Sequence, residues 1–241
     1  MSRRLKIHWA LWSILVVLVA AGVLADDLSS AKLVTFELRP KASIDVSVFR
    51  PLPDVLRLSL RFNSTEGQKR PELGDYARTG RDWRESGFLE FPKPGAPIKL
   101  LVRGEGKEIV YEALPASAYG AATIRRDLVP FVDDGNPNRF QWPPNLALRP
   151  SLPSGYSTFN ISVFEVEPQL VNEQAILIIG SPITFKTVAP GYGFLWWFMF
   201  WPLYALILVG YGVVLIWQTK CHNSPNTAFE RDCAKARSPS I

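Results

Sequence analysis

The sequence predicts a mainly β fold: a β-sandwich-like domain outside the cytoplasm, flanked by two transmembrane α-helices. Two long apolar runs predict the helices, and short segments of alternating apolar and polar residues between them predict the strands. The predicted division has four parts. They are a cytoplasmic stub and first transmembrane helix (1–25), a periplasmic β domain (26–190), a second transmembrane helix (191–218) and a cytoplasmic tail (219–241).

The apolar runs are long enough to cross a bilayer. Residues 7–25 carry no charge if His8 is neutral, and residues 194–217 carry none. As helices they measure roughly 28 Å and 36 Å, against about 30 Å of hydrocarbon in a membrane. The first run also fits a cleaved secretory signal, because small residues precede Asp26, so a retained anchor and a cleaved signal both stay open.

The charge distribution predicts the topology. Residues 26–193 hold 20 basic and 20 acidic residues, so the excess of positive charge lies in the two short ends of the chain. Positive flanks stay on the cytoplasmic side of a membrane. We therefore expect a bacterial inner-membrane protein with both termini cytoplasmic and a periplasmic central domain. The neutral middle also argues against nucleic-acid binding.

Histidine and cysteine are absent from the predicted periplasmic domain. His8 and His222 lie at the ends of the apolar runs, and Cys221 and Cys233 lie in the tail, where we expect free thiols. Without these residues the domain lacks Ser-His-Asp and Cys-His catalysis and the usual zinc ligands. The sequence therefore predicts a non-enzyme, with no catalytic residues, no metal site and no cofactor. A carboxylate enzyme acting on surface polysaccharide remains an alternative.

Alternating segments predict strands at both ends of the domain. Three early ones cover 33–39, 44–48 and 56–62, and the two longest cover 157–166 and 175–186. Between them, residues 114–126 are rich in Ala and Arg and predict a short helix.

Residues 127–155 contain six prolines and three aromatic residues, which predicts a long ordered loop with little regular structure. Within it, residues 133–138 resemble a calcium loop, but Asp, Gly, Asn and Pro also make a turn without a metal, and we favour the turn.

Two sets of residues are candidate contact sites. Arginine beside exposed aromatic rings is typical of protein interfaces, and loops on a β scaffold often carry recognition. The predicted partner-binding residues are Arg81, Trp83, Arg84, Phe140 and Trp142. For Arg81, Trp83 and Arg84, the alternative is a solvated loop in which Arg81 pairs with Glu85.

The second apolar run carries an unusual number of aromatic residues. Some of them form an interfacial belt, and others share one helical face with Leu208 and Tyr211, where Gly210 and Gly212 allow a neighbour to approach. We therefore predict a contact with another membrane helix through Trp197, Trp201 and Tyr204.

The sequence thus predicts a membrane-anchored periplasmic module that binds a protein partner. An immunity-type protein that neutralises a toxin is the sharper hypothesis within this class. A structural subunit of an envelope secretion or channel complex and the carboxylate enzyme are the alternatives.

Overall fold

The computed structural model describes residues 2–65, 70–76, 87–119, 122–133, 135–136, 138–144, 148–183, 189, 191–193 and 200–223. The chain forms two compact units. One contains Leu28–Tyr192, and the other contains Met1–Asp27 together with Gly193–Ile241. Each unit is described by itself.

The two apolar runs form helices that are long and apolar enough to cross a membrane. Helix α1 covers Arg3–Leu28 and helix α2 covers Trp201–Asn223. Most of their large side chains point outward, including Val17 (66% exposed) and Leu206 (69% exposed). Exposed apolar surface of this extent suits lipid better than water.

The helices pack against each other in an antiparallel pair. The indole nitrogen of Trp9 donates to Thr219 Oγ1 (3.1 Å), and that of Trp12 donates to the carbonyl of Leu208 (2.8 Å). A later residue of α1 thus meets an earlier residue of α2. The N-terminal end of α1 and the C-terminal end of α2 therefore lie at the same end of the pair.

The central unit is built from short antiparallel strands joined by turns. Two short 3₁₀ helices, η1 (Pro71–Leu73) and η2 (Pro168–Leu170), also occur among the described residues. The strands are β1 (Lys32–Leu38), β2 (Ser43–Arg50), β3 (Asp54–Val55), β4 (Leu58–Asn63), β5 (Phe88–Glu90), β6 (Ile98–Gly104), β7 (Lys107–Ala113), β8 (Ala118–Tyr119), β9 (Thr123–Pro130), β10 (Arg139–Gln141), β11 (Ser151–Leu152), β12 (Gly155–Val166) and β13 (Glu173–Ile179).

Nine of these strands form one nearly closed sheet. Its order is β1-β13-β4-β9-β7-β6-β12-β2, with β8 added beside β9. The long strand β12 pairs with β2 through residues 155–162 and with β6 through residues 160–166, which carries the sheet around in one continuous path. The edge strands β1 and β2 approach each other, and Lys32 Nζ donates to the Ser47 carbonyl (2.8 Å).

The predicted class is confirmed at the level of a mainly β chain with two apolar helices at its ends. The three early segments are strands β1, β2 and β4, whose inward side chains, such as Phe36, Val46 and Leu60, are buried. A division into two separate sandwich sheets is not confirmed, because one path joins eight strands and β8 is added beside β9.

The predicted helix over 114–126 is wrong. The described part of that segment contributes to strands β8 and β9 instead. Its β-branched and apolar residues alternate, with Ile124 and Leu128 facing the core. The Ala-rich composition misled the prediction, since tertiary packing overrides helix propensity.

Candidate partner-binding site and the linker end of the domain

The structure brings together two segments that are distant in the sequence. Strand β5 pairs antiparallel with β10, so that Leu89 lies opposite Phe140 and Phe88 lies opposite Gln141. The backbone of Trp142 extends this pairing, because its N–H donates to the Gly87 carbonyl (2.8 Å). Residues 87–90 and 139–142 therefore lie side by side.

Aromatic rings hold this surface together from below. Phe91 packs edge-on against Phe140 (centroids 5.6 Å apart) and tilted against Tyr76 (5.1 Å). Leu89, Leu114 and Val129 complete this small core, which is separate from the main one. Each ring pair adds about 0.5–1.5 kcal/mol beyond the burial of its area.

Phe140 does not itself present a binding surface. Its side chain is only 5% exposed and lies inside the small core. The prediction that it contacts a partner directly is therefore corrected: it supports the loop from the inside. In an alternating strand of three residues, the central side chain alone faces this core.

Three side chains form the outer part of the surface, which we call the loop platform: Phe88, Arg139 and Trp142. The Arg139 guanidinium lies 4.0 Å from the centre of the Phe88 ring, a cation–π contact, and its Nε lies 3.8 Å from Glu90 Oε1. Trp142 is half-buried against the small core. A planar cation stacked on a ring, next to a half-exposed indole, is the composition of an interface hot spot.

The remaining predicted partner-binding residues are Arg81, Trp83 and Arg84. They lie outside the described residues. The chain enters their segment after Tyr76 and leaves it before Gly87, and both of these residues contact the platform strands or the small core.

The face of α2 toward α1 includes part of the predicted contact face, because Leu208 accepts from Trp12 and the Tyr211 hydroxyl lies 2.8 Å from His8 Nδ1. Trp201 is 45% exposed, and its contact with another membrane helix stays a prediction. Tyr204 is half-buried, and Trp197 lies outside the described residues. The observed face follows a spacing of four and three residues through Leu208, Gly212, Leu215 and Thr219.

The sequence analysis identified Gly212 as a point of close helix approach but did not identify Trp12 as the residue that packs against it. A Cβ atom on Gly212 would lie 3.2–3.3 Å from the Trp12 ring, whereas one on Gly210 would meet nothing within 4 Å. The available signal was the spacing of Leu5, Trp9 and Trp12, which repeats every three to four residues along α1.

A second polar site lies where the chain enters and leaves the β domain. Arg50 is 1% exposed, and its guanidinium donates to the carbonyls of Ser29 (3.2 Å) and Gly180 (2.6 Å). Its Nε lies 3.6 Å from Asp54 Oδ2, and Asp54 also accepts from Arg57 (3.1 Å). Burial lowers the pKa of Arg50, and the Asp54 carboxylate opposes that shift.

Tyr192 ties the other end of the domain to the same place. Its hydroxyl donates to the Leu52 carbonyl and accepts from the Leu52 N–H (3.1 Å). Burial raises the pKa of this phenol. We call the four side chains Arg50, Asp54, Arg57 and Tyr192 the linker cluster, because it fixes residue 29 after α1 and residue 192 before α2.

Another buried arginine has a purely structural environment. Arg126 is 1% exposed and donates to the carbonyls of Leu114 (2.7 Å), Ala96 (2.7 Å) and Ala113 (2.8 Å). Burial lowers its pKa to about 10, so the group remains charged at neutral pH. It cross-links three loop carbonyls and leaves few donors for a ligand.

Both buried arginines were missed from the sequence, although a signal existed. Arg50 continues the inward alternation of Val46 and Val48, and Arg126 lies between the inward residues Ile124 and Leu128. An arginine at an inward position of a strand indicates a buried guanidinium that must find acceptors.

The structure holds no cluster of three or more His, Cys, Asp or Glu side chains suited to a metal among its described residues. In the calcium-like segment, the Gly135 N–H donates to Asp133 Oδ1 (3.1 Å) and the Asn138 N–H donates to Asn136 Oδ1 (3.0 Å). Both are side-chain to backbone bonds across two residues, which are typical of turns. Asp134 lies outside the described residues.

The cysteine expectation needs a correction. Cys221, near the end of α2, is disulfide-bonded, so it is not the free thiol that the sequence suggested.

Comparisons with known proteins give no family. No protein-family model matches the chain, and no curated protein matches it. The crystal structure of GEBA250068378 from Sulfurospirillum deleyianum is similar over 63% of this chain and 97% of that chain, with 13% sequence identity and a TM-score of 0.36.

Proposed function

We propose that the chain is a membrane-anchored module that binds a protein partner through the loop platform. One observation carries the proposal: β5 pairs with β10, two strands that are distant in the sequence, and this pairing places the Arg139 guanidinium on the Phe88 ring. Rigid aromatic and arginine side chains supply most of the binding energy in protein interfaces.

The acidic side chains of the described residues support a binding role over a carboxylate enzyme. Asp54 is shared by two arginines, and Arg70 pairs with both Glu72 and Glu173 (2.7 Å to the latter). Arginine partners stabilise the ionised form of a carboxylate, whereas a catalytic acid needs the protonated form near neutral pH. These carboxylates are therefore suited to holding structure.

We also propose that α1 is retained as an anchor. The support is the pairing of Trp9 and Trp12 with α2, which would be lost if the first helix were cleaved. Intact mass spectrometry of the mature protein tests this directly. A mature chain beginning near Asp26 would contradict it.

For topology, we propose that both termini are cytoplasmic and the β domain periplasmic, in a bacterial inner membrane. The positive ends of the chain and the antiparallel helix pair support this arrangement. The disulfide at Cys221 argues for the opposite orientation, because disulfides are rare in the cytoplasm. The orientation is tested by labelling intact cells with a membrane-impermeant maleimide after mild reduction. Labelled tail cysteines would overturn the proposed orientation.

The partner is tested by affinity capture of the full-length protein from its native cells in mild detergent. The double variant Trp83→Ala/Arg84→Ala removes two predicted contacts, and Arg103→Ala serves as a surface control, since Arg103 pairs only with its hairpin neighbour Glu108. We expect one dominant partner that is lost from the double variant and kept by the control. Equal recovery from both variants would contradict Trp83 and Arg84 as partner contacts.

The immunity-type role is a narrower proposal within this function. Its support is the combination of a tethered domain, a surface for a protein and a helix pair in the membrane. A toxin-producing cell that lacks the gene should become sensitive to its own toxin. Unchanged resistance would contradict the immunity role, and several membrane proteins captured in fixed ratio would favour a subunit of an envelope complex.

A further inference from the structure

A shallow groove lies at the gap where the nine-stranded sheet fails to close. It encloses about 240 Å³ between the start of β1, the end of β2 and the start of β12. Pockets that enclose drug-sized ligands measure roughly 300–1,000 Å³, so an occupant of this groove would lie partly outside it. The loop platform does not contribute to its lining.

The rim of the groove is apolar and aromatic. Tyr156 is 75% exposed and packs against Phe49 (centroids 5.0 Å apart), and Leu28 is 44% exposed. A tyrosine ring this exposed, beside a phenylalanine and a leucine, is poorly suited to bulk water. Tyrosine and lysine side chains are typical of the membrane–water interface.

The groove is also the part of the domain where both linkers leave. Leu28 is the last residue of α1 and lines the groove, and Arg50, which also lines it, binds the carbonyl of Ser29. Leu52 lies two residues after the end of β2, and its N–H donates to the hydroxyl of Tyr192, which precedes α2 in the chain. The chain therefore joins this end of the domain to α1 directly through Leu28 and Ser29.

Lys32 lines the groove, and its ammonium group is suited to binding a lipid phosphate. Lys32 Nζ donates to the Ser47 carbonyl, and an ammonium group has three donors, so two remain for another acceptor. A lysine on an edge strand also hinders the addition of a further strand. The same side chain therefore favours a phosphate and disfavours a partner peptide at this edge.

We propose that this groove docks the β domain onto the membrane surface, with Tyr156 and Phe49 in the interfacial layer and Lys32 on the phosphate of an anionic phospholipid. The inference rests on the proposed membrane anchoring and goes beyond the partner site. Docking restricts the tilt of the domain and holds the loop platform in a fixed orientation to the membrane.

The test places a photo-crosslinking benzoylphenylalanine at position 156 of the full-length protein. The matched control is position 164, because Phe164 is also 62% exposed and points outward from the same strand β12. Eight residues separate the two positions, about 26 Å along a strand. Both proteins are reconstituted into vesicles of phosphatidylethanolamine and phosphatidylglycerol, illuminated and analysed by mass spectrometry.

We expect lipid adducts at position 156 and none at position 164. Adding Lys32→Glu to the position 156 protein should reduce the share of adducts that contain phosphatidylglycerol. Equal adducts at both positions, or none at position 156, would overturn the proposal. In native membranes, a dominant protein adduct at position 156 would also overturn it and would indicate a strand-pairing partner.

Alkaline extraction of the same membranes separates this proposal from the anchoring on which it rests. Protein that resists extraction but gives no lipid adduct contradicts docking alone. Protein that is extracted contradicts the membrane anchor itself.

Discussion

The linker cluster and the loop platform use arginine in different ways. In the linker cluster, Arg50 is 1% exposed, donates to the carbonyls of Ser29 and Gly180, and forms an ion pair with Asp54. On the platform, Arg139 lies on the face of Phe88 at a partly exposed surface. The first arrangement ties the ends of the domain together, and the second places a guanidinium and a ring at a partly exposed surface. Burial, rather than residue type, distinguishes the two arginines.

The largest expected loss of stability comes from a variant that breaks the linker cluster. Asp54→Ala leaves Arg50 and Arg57 without their shared carboxylate, and losing one partner of a buried ion pair costs about 3–5 kcal/mol. We expect the thermal midpoint of the full-length protein in detergent to fall by about 10 °C. Near-ultraviolet circular dichroism measures this midpoint.

Asp127→Ala is the matched control for that variant. Asp127 pairs with Arg125 at the surface, where both side chains are more than 40% exposed. Exposed pairs contribute about 0–1 kcal/mol, so the midpoint should hardly move. Similar losses in the two variants would show that the linker cluster is no more important than a surface pair.

The platform should separate stability from binding. Phe140→Ala empties the small core, and we expect it to cost about 3 kcal/mol of unfolding free energy. Trp142→Ala removes a half-buried ring at the surface, so its main effect should be loss of the captured partner. The two variants are compared by thermal unfolding and affinity capture. Full partner recovery with Trp142→Ala would contradict the assignment of Trp142 to the interface.

A smaller effect is expected at the second buried arginine. Arg126→Lys keeps the charge, but an ammonium group cannot reach the three carbonyls from Ala96, Ala113 and Leu114 at once. We expect a loss of about 2 kcal/mol. A thermal midpoint equal to that of the original protein would show that charge alone, rather than the fork of donors, holds these loops.

The smallest expected effect is in the helix pair. Gly212→Leu places a side chain against the Trp12 ring and should weaken the pair by about 1–3 kcal/mol, whereas Gly210→Leu meets nothing nearby. Benzoylphenylalanine at position 12 reports the contact through its adduct to α2. A yield that falls equally in both variants would contradict the observed helix face.

Periodicity carried most of the fold prediction. The alternation of Leu58, Leu60 and Phe62 predicted β4, and two uncharged runs predicted the helices. The continuous path of the sheet could not be predicted, because it depends on β12 pairing with two different strands along its length. Nothing local in the sequence specifies such a pairing.

The site was predicted only in part. Composition drew attention to Trp142, whose role stays a prediction, and the same reasoning assigned Phe140 to the surface when it is buried. The pairing of β5 with β10 joins residues about fifty positions apart, so no local pattern could have shown it. The linker cluster was missed because the inward position of Arg50, after Val46 and Val48, was not taken into account.

The most direct test of the binding proposal is photo-crosslinking from position 142 in the full-length protein, in its native cells. Position 105, at the exposed tip of the β6–β7 hairpin, is the control. The proposal predicts one dominant protein adduct at position 142 that disappears in the Trp83→Ala/Arg84→Ala background and is absent at position 105. The absence of a protein adduct at position 142, or the same adducts at both positions, would contradict it.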